Sequence, residues 1–210
     1  MKKMYPLFFL LFGFTGMVKA QNDPNAKKVL DGVSAKLKTI KGVSAGFSYT
    51  TKDRNNALKG SVKGTINIKG DQYYIKQGTT EIFCNGVKIW NYDGDKEVTV
   101  ADVDNTDDKT LTPQKLLTDF YDKDFTYKLV ATTSTSYQID MVPTDKRRNF
   151  KTVSIFVDKA KNLITKARVI DKSDNTIEFT LTNINTSAVI PDTRFVFDAS
   201  KHPGVEVVEQ

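Results

Sequence analysis

The side chains that could carry out catalysis or bind a metal are few in this 210-residue sequence. Cys84 is the one cysteine and His202 the one histidine. A lone cysteine cannot form an internal disulfide, and a lone histidine leaves no set of imidazoles to hold a metal. A Ser-His-Asp hydrolase would have to use His202, close to the end of the sequence. We therefore expect no enzyme, no cofactor and no metal site, and a hydrolase is the most distant alternative.

Several carboxylates lie close together in one polar stretch. They are Asp102, Asp104, Asp107 and Asp108. The glycine and glutamate of a calcium-binding loop are missing around them, so we interpret these side chains as solvated, with calcium as the alternative.

Residues 80–95 carry the clearest structural signal, two β-prone runs that flank Asn85-Gly86. An Asn-Gly pair tolerates the positive φ angles of a two-residue type I′ hairpin turn. The register that this turn predicts pairs Cys84 with Val87, Ile82 with Ile89, and Glu81 with Trp90.

The predicted hairpin has two unlike faces, because side chains alternate along a strand. One face is apolar and holds Ile82, Cys84, Val87 and Ile89. The other mixes charges with amphipathic rings and holds Glu81, Phe83, Lys88, Trp90 and Tyr92. Cys84 is thus expected to be a buried, inert thiol, with a reactive thiol as the alternative.

The first 20 residues are typical of a cleaved signal peptide. Lys2 and Lys3 precede an apolar run over residues 7–14 that is too short to span a membrane, and the segment ends at Ala20. Gln21 would be the first mature residue, so we expect an exported, periplasmic protein with one domain over residues 21–210. An uncleaved membrane anchor is the alternative.

The charge of the predicted mature chain is low. The formal net charge is +6, and removal of three lysines with residues 1–20 lowers it to +3. The one dense basic run is Lys146-Arg147-Arg148. Nucleic acid is therefore not expected as a partner.

A helix is predicted at the start of the mature chain. Asp23-Pro24 is typical of an N-cap followed by proline at the first helical position, and Gly42 is expected to end the helix. Apolar residues recur at helical spacing between them: Ala26, Val29, Leu30, Val33, Leu37 and Ile40.

From Val43 onward the apolar period is two, which predicts about ten or eleven half-buried strands with short turns, the last at residues 195–197. This antiparallel meander is interrupted once, between Ala101 and Phe125. Thr112-Pro113 begins a short helix there, whose stripe is Leu116, Leu117, Phe120 and Tyr121. This mid-chain helix either plugs the end of the core or forms a mobile lid.

So many antiparallel strands tend to curl, because each strand rotates against its neighbour. The predicted fold is mainly β, an unclosed antiparallel half-barrel covered by the N-terminal helix and the mid-chain helix. Its apolar interior suits an apolar ligand. The alternative is that the N-terminal helix fills that interior.

Five segments, taken in order, resemble one known family. They are SAGFSY after the first helix, GTINIKGDQYYI, EIFCNGVKIWNYDGDKEVTV, TPQKLLTDFY and FVFD with HPGVEV. The chain is similar over nearly all of its mature length to the periplasmic outer-membrane lipoprotein carriers, the LolA-like family. The hairpin segment is the most specific of the five.

The resemblance implies an unclosed barrel whose cavity shields the acyl chains of lipoproteins. It implies three kinds of partner: acylated lipoproteins, an inner-membrane ATP-driven releasing complex and an outer-membrane receptor. We expect the carrier itself to be a monomer. The lipid-contacting side chains that it implies are Phe47, Tyr49, Ile66, Ile68, Tyr73, Ile75, Ile82, Ile89, Val98, Val100, Leu116, Leu117 and Phe120.

One turn departs from the family pattern. Many members have an Arg-Pro pair between the second and third strands, where the arginine helps to hold the lid, whereas this chain has Lys69-Gly70-Asp71. Lys69 is a possible lid contact but lacks a planar, bidentate guanidinium.

Two functions from different classes follow. The first is a periplasmic carrier that transfers lipoproteins from the inner to the outer membrane. The alternative is a lipid-binding sensor or partner-binding module of the same fold that does not shuttle cargo.

Overall fold

A computed structural model of the chain describes residues 22–103 and 124–210. These residues form one α-helix and twelve strands. Their bounds are α1 Pro24–Lys38, β1 Val43–Lys52, β2 Leu58–Lys69, β3 Gln72–Gln77, β4 Thr80–Cys84, β5 Lys88–Tyr92, β6 Glu97–Asp102, β7 Phe125–Thr132, β8 Ser136–Pro143, β9 Phe150–Asp158, β10 Leu163–Asp171, β11 Thr176–Asn185 and β12 Glu206–Glu209. The predicted signal peptide and mid-chain helix lie outside the described residues.

The start of α1 confirms the predicted cap. Asp23 is the N-cap, its carboxylate accepts hydrogen bonds from the backbone N–H groups of Asn25 and Ala26, and Pro24 opens the helix. The predicted end at Gly42 is wrong, because α1 stops at Lys38 and Thr39 caps it in a helical conformation. The hydroxyl of Thr39 donates to the carbonyl of Lys36, so the last turn is closed before the glycine.

All twelve strands belong to one unclosed sheet, which confirms the predicted open half-barrel class. The strand order is β12-β6-β5-β4-β3-β2-β1-β11-β10-β9-β8-β7. Strands β1–β6 form one antiparallel meander and β7–β11 another. The two meanders join through β1 and β11, not through the neighbours β6 and β7. The chain between β6 and β7 therefore connects opposite halves of the sheet.

The last strand is not the predicted one. Residues 195–197 were expected to form it, but Asp192–Phe195 is a 3-10 turn and the strand is β12, which runs parallel to β6. The apolar alternation of Phe195 and Phe197 has another cause, since both rings are buried against the sheet.

The sheet has two faces with different covers. Helix α1 packs through Ala26, Leu30 and Val33 on one face, against a core drawn from β7–β10. We call this the helix face. On the opposite face, residues 190–205 pack over β3–β6, and we call them the C-terminal segment.

The central hairpin has a different register from the predicted one. Cys84 pairs with Ile89 and Phe83 with Trp90, so the strands are shifted by two residues. Of the two turn residues Asn85 and Gly86, only Gly86 has positive φ, at 89°, and the side chain of Asn85 accepts hydrogen bonds from the N–H groups of Val87 and Lys88. Val87 lies in this longer turn and is 67% exposed instead of buried. A shift of two preserves the faces, so the predicted separation of Cys84 from Phe83 and Trp90 is confirmed.

Candidate functional site

Eight of the predicted lipid contacts lie on the helix face. Paired residues share a face of a sheet, and the pairs run across β1–β5 without interruption. Ile66 pairs with Ile75, and Ile75 in turn with Ile82. The eight residues are Phe47, Tyr49, Ile66, Ile68, Tyr73, Ile75, Ile82 and Ile89.

The centre of this surface is a small apolar cluster. Ala45, Phe47 and Ile66 are buried there, and five partly buried side chains pack against them: Ile68, Ile75, Phe179, Leu181 and Ile184. We call these eight residues the apolar patch. The partly buried members still present apolar surface, and the buried core of the patch contains no residue of α1.

Strand β11 contributes three members of the patch that the sequence analysis did not include among the lipid contacts. The Phe179 ring stacks on the Phe47 ring with centroids 5.6 Å apart. The alternation of Ile177, Phe179 and Leu181 shows that they share a face of one strand. Local periodicity does not reveal that β11 pairs with β1, which is what brings Phe179 to Phe47.

Gly64 makes room for the Phe47 ring. The two residues pair across β1 and β2, and a Cβ at Gly64 would lie 2.6 Å from Phe47 Cζ and 2.2 Å from the Lys76 carbonyl oxygen. Both distances are too short for a carbon contact, so a side chain at this position would displace the ring.

Helix α1 and the apolar patch occupy different parts of the helix face. The buried residues of α1 belong to a cluster with β7–β10, for example Tyr127, Ile139 and Ile155. The patch belongs to a separate cluster on β1–β3 and β11. The alternative in which the N-terminal helix fills the whole interior is therefore wrong for these strands.

Val98 and Val100 are not on the helix face, which corrects their predicted place among the lipid contacts. They pair with Tyr92 and Trp90 and so share the opposite face. Val98 is fully buried beneath the C-terminal segment, next to Phe195. The length of the turn between β5 and β6 determines which face these two valines share with Trp90 and Tyr92. The alternation of the valines alone does not predict that length.

Of the remaining predicted contacts, Leu116, Leu117 and Phe120 lie outside the described residues. Lys69 Nζ forms an ion pair with Asp192 Oδ1 at 2.6 Å, with both side chains largely exposed. Asp192 opens the 3-10 turn of the C-terminal segment, so this described contact of Lys69 is with the opposite face. Lys69 also alternates with Ile68, which points to the helix face.

The two residues that could have been catalytic do not form a catalytic arrangement with each other. Cys84 is 1% exposed on the helix face, and burial raises the pKa of its thiol. His202 is on the opposite face, with its ring 4.6 Å from that of Tyr92 and 4.7 Å from that of Phe197. The prediction of a buried thiol is confirmed.

Polar chemistry is concentrated on the opposite face. Tyr74 Oη donates to Glu81 at 2.9 Å, and Lys76 donates to the other carboxylate oxygen of Glu81. Burial opposes ionisation of Glu81, but these two donors hold its pKa below the usual value. Burial, together with the hydrogen bond to Glu81, raises the pKa of Tyr74 to about 12.

On the helix face, burial beside Cys84 raises the pKa of Tyr73 to about 12 as well.

Over residues 22–103 and 124–210, no group of three or more His, Cys, Asp or Glu side chains is placed to hold a metal ion. Of the predicted solvated carboxylates, only Asp102 is described, and it is exposed. The helix of the described part of the chain is neither long nor apolar enough to span a membrane.

The sequence model of the family described as outer membrane lipoprotein carrier protein LolA matches residues 38–198. The chain belongs to the LolA family. This match covers most of the sheet, including every strand of the apolar patch.

Solved structures are similar to this chain at low sequence identity. An uncharacterized conserved protein from Thermus thermophilus is 10% identical, with a TM-score of 0.56, and the alignment covers 89% of this chain and 99% of that one. A LolA superfamily protein from Nitrosomonas europaea is 11% identical over 83% and 98% of the two chains, with a TM-score of 0.44. Lipoprotein LppX from Mycobacterium tuberculosis is 10% identical over 81% and 100%, with a TM-score of 0.48. No curated protein matches this sequence.

The family is described as one of outer membrane lipoprotein carrier proteins. Membership therefore supports a role in binding lipid or a partner, and the apolar patch is the surface of this chain that suits such a role.

Proposed function

We propose that this protein is an exported, periplasmic carrier that shields the acyl chains of lipoproteins and transfers them from the inner to the outer membrane. The single observation that carries the proposal is the apolar patch, a continuous apolar area that α1 does not cover. Membership in the LolA family supports lipoproteins as the cargo.

The energetics of an acyl chain suit such a surface. Burial of a methylene group is worth about 0.8 kcal/mol, so a long acyl chain in water forgoes on the order of 10 kcal/mol. A carrier has to supply most of this stabilisation and still release the chain. Half-buried side chains such as Ile75 and Phe179 offer apolar contact without a closed core around them.

The proposed carrier function includes a role for the predicted mid-chain helix. Residues 104–123 lie in sequence between β6 and β7, and these two strands belong to opposite halves of the sheet. The apolar stripe of Leu116, Leu117 and Phe120 is proposed to cover bound acyl chains as a lid. The inner-membrane releasing complex and the outer-membrane receptor remain proposed partners.

A titration with a fluorescent fatty acid tests the patch. We expect saturable binding that weakens more than tenfold in Ile75→Asp and in Ile82→Asp, because each change places a carboxylate among the apolar side chains of the helix face. Thr65→Asp is the matched control, since Thr65 is exposed on the opposite face of β2. Equal binding by all three folded variants would contradict the patch as the lipid site.

A second assay separates the carrier from the sensor. The protein is loaded with a radiolabelled lipoprotein and mixed with outer-membrane vesicles. A carrier transfers the label to the vesicles, whereas a sensor retains it.

A further inference from the structure

Three neighbouring turns lie side by side at one end of the sheet. With the strand residues that flank them, they are residues 52–59 at the β1–β2 turn, residues 144–151 at the β8–β9 turn, and residues 171–175 at the β10–β11 turn. Backbone and side-chain contacts join them: Lys52 pairs with Thr176, and Lys151 Nζ forms an ion pair with Asp174 at 2.6 Å. The Lys172 N–H also donates to the Asn149 carbonyl at 3.3 Å. We call this surface the basic end.

The basic end carries more positive charge than the rest of the predicted mature chain. Its three turns contain eight lysines and arginines and four aspartates, a formal charge of +4, whereas residues 21–210 as a whole carry +3. The remainder of the chain is therefore close to neutral, and the charge is local to one end.

The aspartates of the basic end are engaged within it. Asp53 pairs with Lys59 at 3.1 Å, and Asp145 pairs with Arg147 at 2.8 Å. Asp171 accepts hydrogen bonds from backbone N–H groups of its own turn. Within the described part of the chain, four basic residues of this end make no ion pair: Lys52, Arg54, Lys146 and Lys172.

An apolar side chain lies among these charges. Leu58, at the first position of β2, is 62% exposed and pairs with Lys52. The helix face also opens towards this end, because exposure rises along β1 from 7% at Phe47 to 39% at Tyr49. Free cations beside an exposed leucine match a lipid surface with anionic headgroups, which attracts the cations and accepts the leucine at the acyl boundary.

We propose that the basic end docks on the surface of an anionic lipid membrane. Docking would place the open end of the helix face, at Tyr49, next to the bilayer. The proposal adds to the carrier function but does not require it, since the charges and Leu58 are separate from the apolar patch.

Vesicle sedimentation tests the proposal with protein purified after export. The probe is a phosphatidylcholine vesicle with or without phosphatidylglycerol. We expect binding to the anionic vesicles only, and weaker binding at high salt. The triple variant Lys52→Gln, Arg54→Gln, Lys146→Gln should bind the anionic vesicles about tenfold more weakly than the wild type, because each cation near an anionic surface contributes to adhesion.

A matched control removes the same charge from outside the basic end. The variant is Lys36→Gln, Lys41→Gln, Lys161→Gln, and its binding should stay within about twofold of the wild type. Leu58→Ser should weaken binding several-fold with no change of charge. Fatty-acid titration of the same variants should be unchanged, which shows that the fold and the patch are intact.

Two results would overturn the proposal. One is equal loss of vesicle binding in the two triple variants, which would reflect net charge alone. The other is a wild type that ignores anionic vesicles, in which case an acidic protein is the better match for this surface. If the wild type does not bind fatty acid, that result contradicts the carrier function but does not contradict docking on vesicles.

Discussion

Asp23 links the first turn of α1 to the edge strand of the sheet through Leu129. The Leu129 N–H donates to Asp23 Oδ2 at 3.1 Å, while Asp23 Oδ1 accepts from the Asn25 N–H at 2.8 Å. The backbone N–H of Asp23 also donates to the Tyr127 carbonyl at 3.2 Å. One carboxylate thus caps the helix and satisfies an exposed strand edge.

The first prediction concerns acid stability. The hydrogen bond from Leu129, followed by that from Asn25, holds the pKa of Asp23 below its usual 3.8. A carboxylate with a lowered pKa in the folded state contributes stability above its unfolded pKa and loses it as pH falls through the folded value. Asp23→Ala should therefore lower the urea midpoint at neutral pH, and the difference from wild type should shrink below about pH 3.8.

Asp31→Ala is the control for that experiment. Asp31 is an exposed residue of α1 that pairs with Lys27 at 2.8 Å, so its removal should cost less than the removal of Asp23. If the effect of Asp23→Ala stays constant down to low pH, the charge of the carboxylate does not matter and the prediction fails.

The second prediction uses two glycines of β2. Gly64→Ala should destabilise the fold by about 1–3 kcal/mol, because the new methyl group meets the Phe47 ring and the Lys76 carbonyl. Gly60→Ala is the matched control, since a Cβ there meets nothing within 4 Å. Urea unfolding of both variants measures this. A similar loss in both would mean that strand propensity, not the Phe47 ring, limits position 64.

The third prediction concerns Cys84. Burial raises the pKa of its thiol and leaves the side chain 1% exposed, so a thiol reagent such as Ellman's reagent should react far more slowly with native protein than with unfolded protein. Fast reaction of the native protein would show that the helix face opens at β4.

The local elements could be predicted well from the sequence, because each rests on neighbours in the chain. The cap at Asp23, the strand alternation and the two faces of the central hairpin depend on residues a few positions apart. Even the wrong register at Asn85 preserved the faces, since a shift of two residues keeps side-chain parity. The register differs from the prediction because the Asn85 side chain accepts hydrogen bonds from two backbone N–H groups, which lengthens the turn.

The non-local relationships were harder to predict. Pairing of β1 with β11 joins residues far apart in sequence, so Phe179 entered the apolar patch only in the structure. Residues 195–197 of the C-terminal segment likewise match the pattern of a strand, because buried aromatic residues alternate there as they do in a strand. The sequence alone does not show what covers the aromatic side of the hairpin around Phe83, and in the structure Phe197 packs against it.

The central claim is that acyl chains bind on the helix face at the apolar patch, and site-specific photo-crosslinking tests it most directly. A photoreactive amino acid replaces Ile75 in one variant and Thr65 in another, and each protein is irradiated with a radiolabelled, acylated lipopeptide. Ile75 is on the helix face and Thr65 on the opposite face of the neighbouring strand. The account predicts a crosslink from position 75 that excess fatty acid abolishes, and none from position 65. Equal labelling at both positions, or labelling at position 65 alone, would contradict it.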